Sequence, residues 1–437
     1  MTYRTGQVVE VTAEDVAHGG WCVARPADGP VLFVRHALPG ERILARVTEV
    51  TTRLARAEAV QILAASPDRV TPPCPHARPG GCGGCDWQHA PLPAQRSLKA
   101  TVIRQQLRRI AGIDREITVE ALPGDQEGLG WRTRVQFAVR EDGVAGLRAH
   151  RSHQVIDVGE CLIAHRAITD LALTGRRWPG ETSVEVLVST GSGERVVIVS
   201  PGRSVGPSAE PIAADAVLRR ADPRNRRLSP VRGRGYLVVP AAGRDWRVSA
   251  GTFWQVHPAA ADALAGAVLA SLKPRPGDAA LDLYCGAGLF AGVLAPVVGP
   301  GGTVIGAEAD DAAVRDARHN LREWPWARAH KGDVAAVLTR GGLPPARLAV
   351  ADPPRSGLAR EVIEYVSAAE NGVGRLAYVS CDPATLARDI GLLAGRGWVL
   401  DGLRAFDAFP MTHHVECVAT LSAPGVIGQP GAPESQR

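Results

Sequence analysis

Along the first sixty residues, apolar and polar positions alternate in short runs, among them QVVEVTAED, GPVLFVRHA and ERILARVTEV, separated by Gly and Pro. A period of two is the signature of half-buried strands. Five short strands in so short a stretch predict an OB-like β barrel over residues 1–63, an architecture that often binds oligonucleotides. A barrel that only packs on its neighbour satisfies the same pattern. Residues 66–90 have no periodicity and are rich in Pro, Gly and Cys, so something other than an apolar core must fix them. Residues 91–112, LPAQRSLKATVIRQQLRRIAGI, predict an amphipathic helix with Leu107 and Ile110 on its apolar side.

β character then returns. RVQFAVREDGVAGLRAH and SVEVLVSTGSGERVVIVS read as hairpins around Gly turns, with VIDVGECLIAH and a short helix between them. The Pro- and Arg-rich stretch 201–235 reads as a solvated loop carrying Arg219, Arg220, Arg224, Arg226, Arg227, Arg232 and Arg234. Residues 64–248 thus form a central β-rich domain, whose helix 91–112 has an apolar face to offer the domain that follows. From residue 259 helices alternate with strands such as AALDLYC, TVIGAEA, ARLAVAD, RLAYVS, WVLDGLRAF and VECVATLS. That alternation predicts an α/β domain over 249–437, a doubly wound, mostly parallel, seven-stranded Rossmann-like sheet.

Bulk composition adds little to this. The chain is 45% hydrophobic and 22% charged, with a formal charge of +5. Its lysines are Lys99, Lys273 and Lys331, so the cationic charge is almost all arginine. Arginine suits phosphate forks and base stacking, yet codon bias in an Arg-rich proteome explains the excess more simply. No run is long and apolar enough for a membrane span, and MTYRTGQVVEV lacks the shape of a signal peptide. A cytoplasmic protein without a membrane or an obligate protein partner is expected. In that setting its eight cysteines are ligands or catalysts before they are disulfides.

The first strand of the α/β domain runs into Asp282-Leu283-Tyr284-Cys285-Gly286-Ala287-Gly288, where Gly286 and Gly288 let the backbone approach a ligand at a helix N-terminus. The second strand ends at Glu308, where a carboxylate accepts hydrogen bonds from ribose hydroxyls. Asp333, after the third strand, is a candidate for the adenine amino group. The glycine pattern also fits a dinucleotide site. Asp282 argues against that: ahead of the glycines it repels a pyrophosphate but suits the ammonium of a methionine moiety. The tip Asp352-Pro353-Pro354-Arg355 and a cysteine after strand five point the same way, to S-adenosyl-L-methionine.

That cysteine is Cys381 in YVSCDPATLARD, between a buried strand and a helix whose N-terminus favours a thiolate. A small packing cysteine is the bland alternative. Carbon 5 of uracil is a poor nucleophile, and a thiolate added at carbon 6 turns the ring into an enolate able to take a methyl group. A base must then remove the carbon 5 proton. Glu416, in DAFPMTHHVE at the start of the last strand, is that candidate, or else a carboxylate on a hairpin edge.

Together, FWQVHPAAADAL, DLYCGAGLF, the Glu308 strand, DPPRSGL, VSCDPATLARD and DAFPMTHHVE resemble the RNA uracil-5-methyltransferase family over essentially the whole chain. The resemblance implies Cys381 as nucleophile, Glu416 as general base and Asp352 at the uracil. It implies Gln255, Glu308 and the Gly286 loop, with Asp282, Tyr284, Gly288, Asp333 and Asp352 around them, as the methyl-donor site. The family commonly reads Q-V-N where this chain has Gln255-Val256-His257, which leaves the role of His257 open.

Cys74-x7-Cys82-x2-Cys85 and the distant Cys161 form a four-thiolate set, and chemistry alone allows zinc or an iron–sulfur cluster. CPHARPGGCGGCDWQH is similar to the loop of the family branch that carries a [4Fe–4S] cluster, so the resemblance implies iron–sulfur. Cys22, Cys285 and Cys417 read as packing cysteines. The first module resembles a TRAM domain. With the cluster loop, that implies structured RNA as partner, 23S ribosomal RNA first and the T-loop uridine of transfer RNA second. Arginines and Trp254 are candidates to stack on a flipped base. Two rivals are a non-catalytic RNA-binding protein and a DNA cytosine-5-methyltransferase. The latter class carries its cysteine after strand four, where this chain has DPPR.

Overall fold

The computed structural model describes residues 3–26, 29–124, 127–202, 211–221, 227–340 and 343–425. At the N-terminus β1 (Val8–Thr12), β2 (Asp15–Ala17), β3 (Trp21–Ala24), β4 (Leu32–Arg35), β5 (Arg42–Val50) and β6 (Ala55–Ala64) form one sheet in the order β1-β5-β6-β4-β3-β2. This is one strand more than alternation suggests. β2 spans three residues with Val16 as its buried side chain, too few to register as a period. The interior is built from small side chains such as Ala13, Ala24, Ala45 and Ala57, closed by Ile43 and Leu32.

The helix expected over 91–112 is α1 (Leu92–Gln106), continued by a π-helical turn over Leu107–Ala111. Gly112, left-handed at φ 67°, ends it, a conformation that suits a residue without Cβ. Its buried face differs from the apolar stripe. Gln95, Lys99, Val102 and Ile103 point inward, whereas Ile110 is exposed. Lys99 is fully buried because its ammonium meets the Asp407 carboxylate and donates to the Phe409 carbonyl at 3.0 Å. The Gln95 amide donates to the carbonyls of Trp87 (3.1 Å) and Ala90 (2.8 Å). Beyond α1, β7 (Val119–Ala121) pairs in parallel with Ala405–Asp407 of the last domain.

The middle sheet holds β8 (Arg134–Val139), β9 (Ala145–Arg148), β10 (Val155–Ile156), β11 (Glu181–Val188), β12 (Arg195–Pro201), β13 (Ala216–Arg220) and β14 (Leu228–Arg232), with α2 (Arg166–Thr169) between β10 and β11. Both expected hairpins are present, β8 with β9 and β11 with β12. The arginine-rich stretch is not one loop: β13 joins β12 in parallel and β14 closes on β13. Arg219 and Arg220 are strand residues paired with Glu181 and Glu185 of β11, which makes their charge part of the sheet. Arg232, at the end of β14, donates to the Ile212 carbonyl at 2.7 Å. Arg224 and Arg226 lie outside the described residues. A hairpin of β15 (Tyr236–Ala241) and β16 (Arg244–Ser249) then buries Trp246 against the last domain.

That domain alternates α3 (Ala260–Leu272), β17 (Ala279–Leu283), α4 (Leu289–Val298), β18 (Thr303–Glu308), α5 (Asp311–Asn320), β19 (Ala327–Lys331), α6 (Val334–Thr339), β20 (Leu348–Ala351), α7 (Arg360–Ser367), β21 (Arg375–Ser380) and α8 (Pro383–Ala394), and ends in β22 (Val399–Asp407) and β23 (Glu416–Ser422). The order is β19-β18-β17-β20-β21-β23-β22, with β23 antiparallel to both neighbours and β7 added in parallel at the β22 edge. The expected Rossmann-like sheet is thus extended by a strand from the preceding segment. Helices α3, α4 and α5 cover one face, and α6, α7, α8 and the end of α1 cover the other. Among the described residues no helix is long and apolar enough to cross a membrane.

α1 is therefore fastened to the last domain by a buried ion pair. Removing one partner of such a pair leaves the other charge stranded, at about 3 kcal/mol or more. Lys99→Met is expected to lower the denaturant midpoint accordingly, and an unchanged midpoint would show that Asp407 is satisfied without it.

Candidate active site

The sheet order reverses between β17 and β20, and such a switch point opens a crevice at the C-terminal strand ends. Asp282, on β17, is fully buried and accepts the Ala291 N–H at 2.7 Å, which caps α4. Its other oxygen is buried without a partner, and burial pushes its carboxyl up to about 8. Tyr284, Gly286 and Gly288 all have positive φ, at 66°, 53° and 89°. A Cβ on Gly286 would meet nothing within 4 Å, so that backbone faces open space, whereas one on Gly288 would press on Ala317 at 3.3 Å. Glu308 is held by the N–H groups of Gly286 (3.0 Å) and Asp310 (2.7 Å). An orphaned acceptor, a bare backbone and a pinned carboxylate suit a ligand that brings an ammonium and hydroxyls.

Asp333 caps α6 by accepting the Ala336 N–H at 3.1 Å and keeps its side chain exposed. Gln255 is nearly buried. His257 lies below the surface, stacked on Trp131 at 5.9 Å with its Nδ1 accepting the Ala259 N–H. Burial holds it down at about 4, so it is neutral and acts in packing. Trp254 turns inward against Trp246 and is no free platform, while its neighbour Phe253 is 64% exposed.

Cys381 follows β21, and Glu416 begins β23. The antiparallel register pairs Ser380 with Cys417. One step further, Cys381 and Glu416 therefore stand side by side, at the crevice end of the sheet. Glu416 is 4% exposed, not a carboxylate on an open edge. Asp352, next to the Leu283 carbonyl that accepts its N–H at 3.2 Å, completes the group. Burial pushes Asp352 up to about 7 and Glu416 well above the usual carboxylate range.

The helix N-terminus does not lower the Cys381 thiol as expected. Asp382 takes the first N–H groups of α8, those of Ala384 (3.0 Å) and Thr385 (2.9 Å). Burial first, then Glu416, pushes the thiol up to about 12; the positive charge of Arg355 opposes them. Arg355 belongs to the DPPR tip, whose loop is fixed from below. Buried Asp389 accepts the Leu358 N–H (2.8 Å) and the Tyr378 hydroxyl (2.7 Å), and Arg388 donates to the Ser356 carbonyl at 2.8 Å. Motif reading assigned Arg355 no contact, although its place in DPPR marks it. His18, Gly19 and Gly20, from the turn between β2 and β3, also line the Cys381 pocket, and nothing in that turn signals it.

Cys74, Cys82, Cys85 and Cys161 line a single cavity of about 530 Å³. Burial raises the Cys82, Cys85 and Cys161 thiols, each also within electrostatic reach of another of the four. Among the described residues no three His, Cys, Asp or Glu side chains close on a single metal ion. The same cavity is also lined by His76, His150, His153 and Glu160. Cys22, Cys285 and Cys417 are buried, as packing cysteines are.

Residues 347–423 match the tRNA (Uracil-5-)-methyltransferase family and residues 3–60, the β1–β6 sheet, match the TRAM domain. Residues 255–340 match the protein-L-isoaspartate(D-aspartate) O-methyltransferase family. An uncharacterized RNA methyltransferase of Streptomyces avermitilis is 49% identical over 95% of this chain and 98% of its own. Another, from Streptomyces coelicolor, is 48% identical over 95% of this chain and 93% of its own. The chain belongs to the RNA uracil-5-methyltransferase family. It is an RNA methyltransferase with an N-terminal TRAM domain. The enzyme shares its fold with Pyrococcus abyssi tRNA (uracil-54, C5)-methyltransferase in complex with S-adenosyl-L-homocysteine, at a TM-score of 0.72 and 22% identity, over 94% of this chain and all of that one.

The raised carboxyls give the enzyme a pH signature. Asp282 and Asp352 keep protons that the unfolded chain releases near pH 4. The unfolded state binds fewer protons from about pH 4 to about pH 8, so stability falls as pH rises across that window. Asp282→Asn keeps an acceptor for Ala291 and removes its share. Its melting temperature is expected to fall less than the parent's between about pH 5 and pH 8; parallel curves would mean that Asp282 is already ionised in the fold.

Proposed function

We propose that the enzyme converts uridine to 5-methyluridine in structured RNA with S-adenosyl-L-methionine, using Cys381 as covalent nucleophile and Glu416 as general base. The reading rests on one observation: Cys381 directly follows β21 and Glu416 begins β23, one step beyond the Ser380–Cys417 pair of their antiparallel register and beside the crevice at the sheet's switch point. The donor, when bound, supplies an electrophilic methyl group. Asp282, Tyr284, Gly286, Gly288, Glu308, Asp333 and Gln255 are the residues to hold it. Cys381, as thiolate stabilised by Arg355, adds to carbon 6 of the ring. Asp352 holds the uracil edge; protonated, it donates a hydrogen bond to a carbonyl on which the enolate charge develops. The enolate's electron pair then bonds carbon 5 to the methyl group as the methyl–sulfur bond breaks, leaving S-adenosyl-L-homocysteine. Glu416, as carboxylate, removes the carbon 5 proton, and the electron pair of that bond restores the double bond and expels the thiolate.

The raised thiol and the raised carboxyl bear on this scheme together. Both acids beside the sulfur are driven toward their neutral forms, which lessens their repulsion of a thiolate. The thiol proton leaves to solvent before the base docks, and Glu416 releases its own before it can take the carbon 5 proton, both against the shift that burial imposes. Water excluded by a docked base strengthens the contact with Arg355.

Cys74, Cys82, Cys85 and Cys161 are read as ligands of a [4Fe–4S] cluster in preference to zinc, since their cavity is large and no single-ion site forms among the described residues. Such a cluster supplies a cross-link between the 74–85 loop and Cys161. Large-subunit ribosomal RNA is the first substrate reading, from the resemblance of the TRAM domain and cysteine loop. Transfer RNA is the second, favoured by the family profile that matches residues 347–423.

Cys381→Ala is expected to abolish methyl transfer while donor binding persists, and Glu416→Gln to trap an RNA adduct that survives a denaturing gel. Full activity in Cys381→Ala would falsify the mechanism. Labelled donor offered with ribosomal and transfer RNA separately, followed by mapping of the modified base, decides the substrate. Anaerobically purified protein is expected to carry iron and acid-labile sulfide and to lose both in Cys82→Ser. Zinc without sulfide would sink the cluster assignment.

A further inference from the structure

The segment joining β22 to Glu416 is held from outside its own domain. The N–H groups of Asp86 and Trp87 both donate to the Met411 carbonyl, at 3.0 and 3.1 Å, and the Met411 N–H donates to Gln95 Oε1 at 2.8 Å. Met411 itself is left-handed, φ 67°, a conformation that costs a residue with a Cβ and persists only where its surroundings impose it. Asp86 is 8% exposed and uses both carboxylate oxygens. One accepts from Arg35 of the TRAM sheet at 3.2 Å; the other accepts from His413 twice, from its N–H at 3.2 Å and from Nδ1 at 2.6 Å. Gly20 closes the junction so tightly that a Cβ there would lie 2.9 Å from His413.

From His413 the contacts run on to the nucleophile. The rings of His413 and His414 are 4.0 Å apart. Arg355 donates to His414 Nε2 at 3.3 Å and lines the same pocket as Cys381, where its charge favours the thiolate. His414 is half-buried and its pKa is lowered, first by desolvation, so as a neutral ring it is an acceptor that can steer this guanidinium without repelling it.

We propose that Asp86 is a positioning residue for methyl transfer: by bracing His413 it fixes His414, and through His414 it aims Arg355 at Cys381. The inference rests on the reading of Cys381 as nucleophile. Asp86 touches neither the sulfur nor the base; it acts through three intervening side chains, those of His413, His414 and Arg355. It lies beside Cys85, so the brace also joins the cysteine loop to the catalytic strands.

The test compares Asp86→Asn with His413→Asn in the whole chain, the second cutting the same link from the side that does not belong to the cysteine loop. Three quantities are read: the alkylation rate of Cys381 by iodoacetamide at fixed pH, located by mass spectrometry; kcat and KM for RNA; and metal content. Both variants are expected to slow alkylation and lower kcat by about tenfold, the worth of one charge-assisted hydrogen bond. KM for RNA, donor affinity and metal content are expected to stay within about twofold, since the contact orients the reacting group and not the ligands. Parental alkylation and kcat in His413→Asn overturn the proposal, also where Asp86→Asn has lost metal or failed to fold. RNA carrying 5-fluorouridine separates the two levels, because its carbon 5 offers no proton to remove. No covalent adduct with the parent protein would mean that the nucleophile is misassigned. An adduct that forms as fast in both variants as in the parent would overturn only the brace.

Discussion

The chemistry of this enzyme depends on a strand register. β23 enters the sheet antiparallel to β21, and Ser380 faces Cys417. That pairing alone brings a residue that follows one strand beside a residue that begins another 35 positions later in the chain. A slip of one residue would turn Glu416 to the opposite face and bury Cys417 in its place at the crevice. The register is held because both strands are buried on both faces: Tyr378, Val379, Val418 and Ala419 are all at most 2% exposed. Tyr378 adds a directional constraint, its hydroxyl bonded to the Asp389 carboxylate that also fixes the DPPR loop. Cys381, Glu416 and Arg355 are therefore positioned by one interlocked set of strands.

Those strands carry charge into a place where charge is costly. Asp282, Asp352 and Glu416 lie buried, and burial is the largest cause of the upward shift in each. Arg355 is the counterweight that faces both Cys381 and Glu416. Ionising the thiol, the base and Asp352 together around one cation would multiply a repulsion that a low dielectric amplifies. An arrangement that keeps most of these groups neutral avoids that cost. It also makes the aim of Arg355 matter more than any intrinsic property of the thiol.

What was legible in the chain beforehand was local. The glycine turn after Asp282, the Glu308 strand end, the DPPR tip and the Cys381 turn each announce themselves within a few residues, because a strand end that meets a ligand needs special backbone or a polar tip. The opposite held wherever a side chain's partner is distant. Lys99 and Gln95 look like the wet face of an amphipathic helix, yet they point inward because Asp407 and Met411 wait there, about three hundred residues away. Arg219 and Arg220 look like a basic loop, yet Glu181 and Glu185 absorb them into a sheet. The Cys381 thiol is the same case. A helix start lowers a thiol by rule, but here Asp382 takes that helix's N–H groups, and burial first, then a carboxylate from another strand, pushes the thiol up.

The same long-range character explains why the TRAM domain cannot be regarded as an appendage. Its turn at His18–Gly20 lines the Cys381 pocket, and His18 stands 3.2 Å from the Asp382 carboxylate that caps α8. A base leaving its stack costs a few kcal/mol before it reaches the thiol. Under the proposed reaction, a pocket walled by the TRAM sheet and the methyltransferase sheet at once would let contacts made by either module act on the same extruded nucleotide. The energy of gripping the RNA backbone is then available where the base is held out. A barrel tethered at a distance could raise the local concentration of RNA, but it could not contribute to that step.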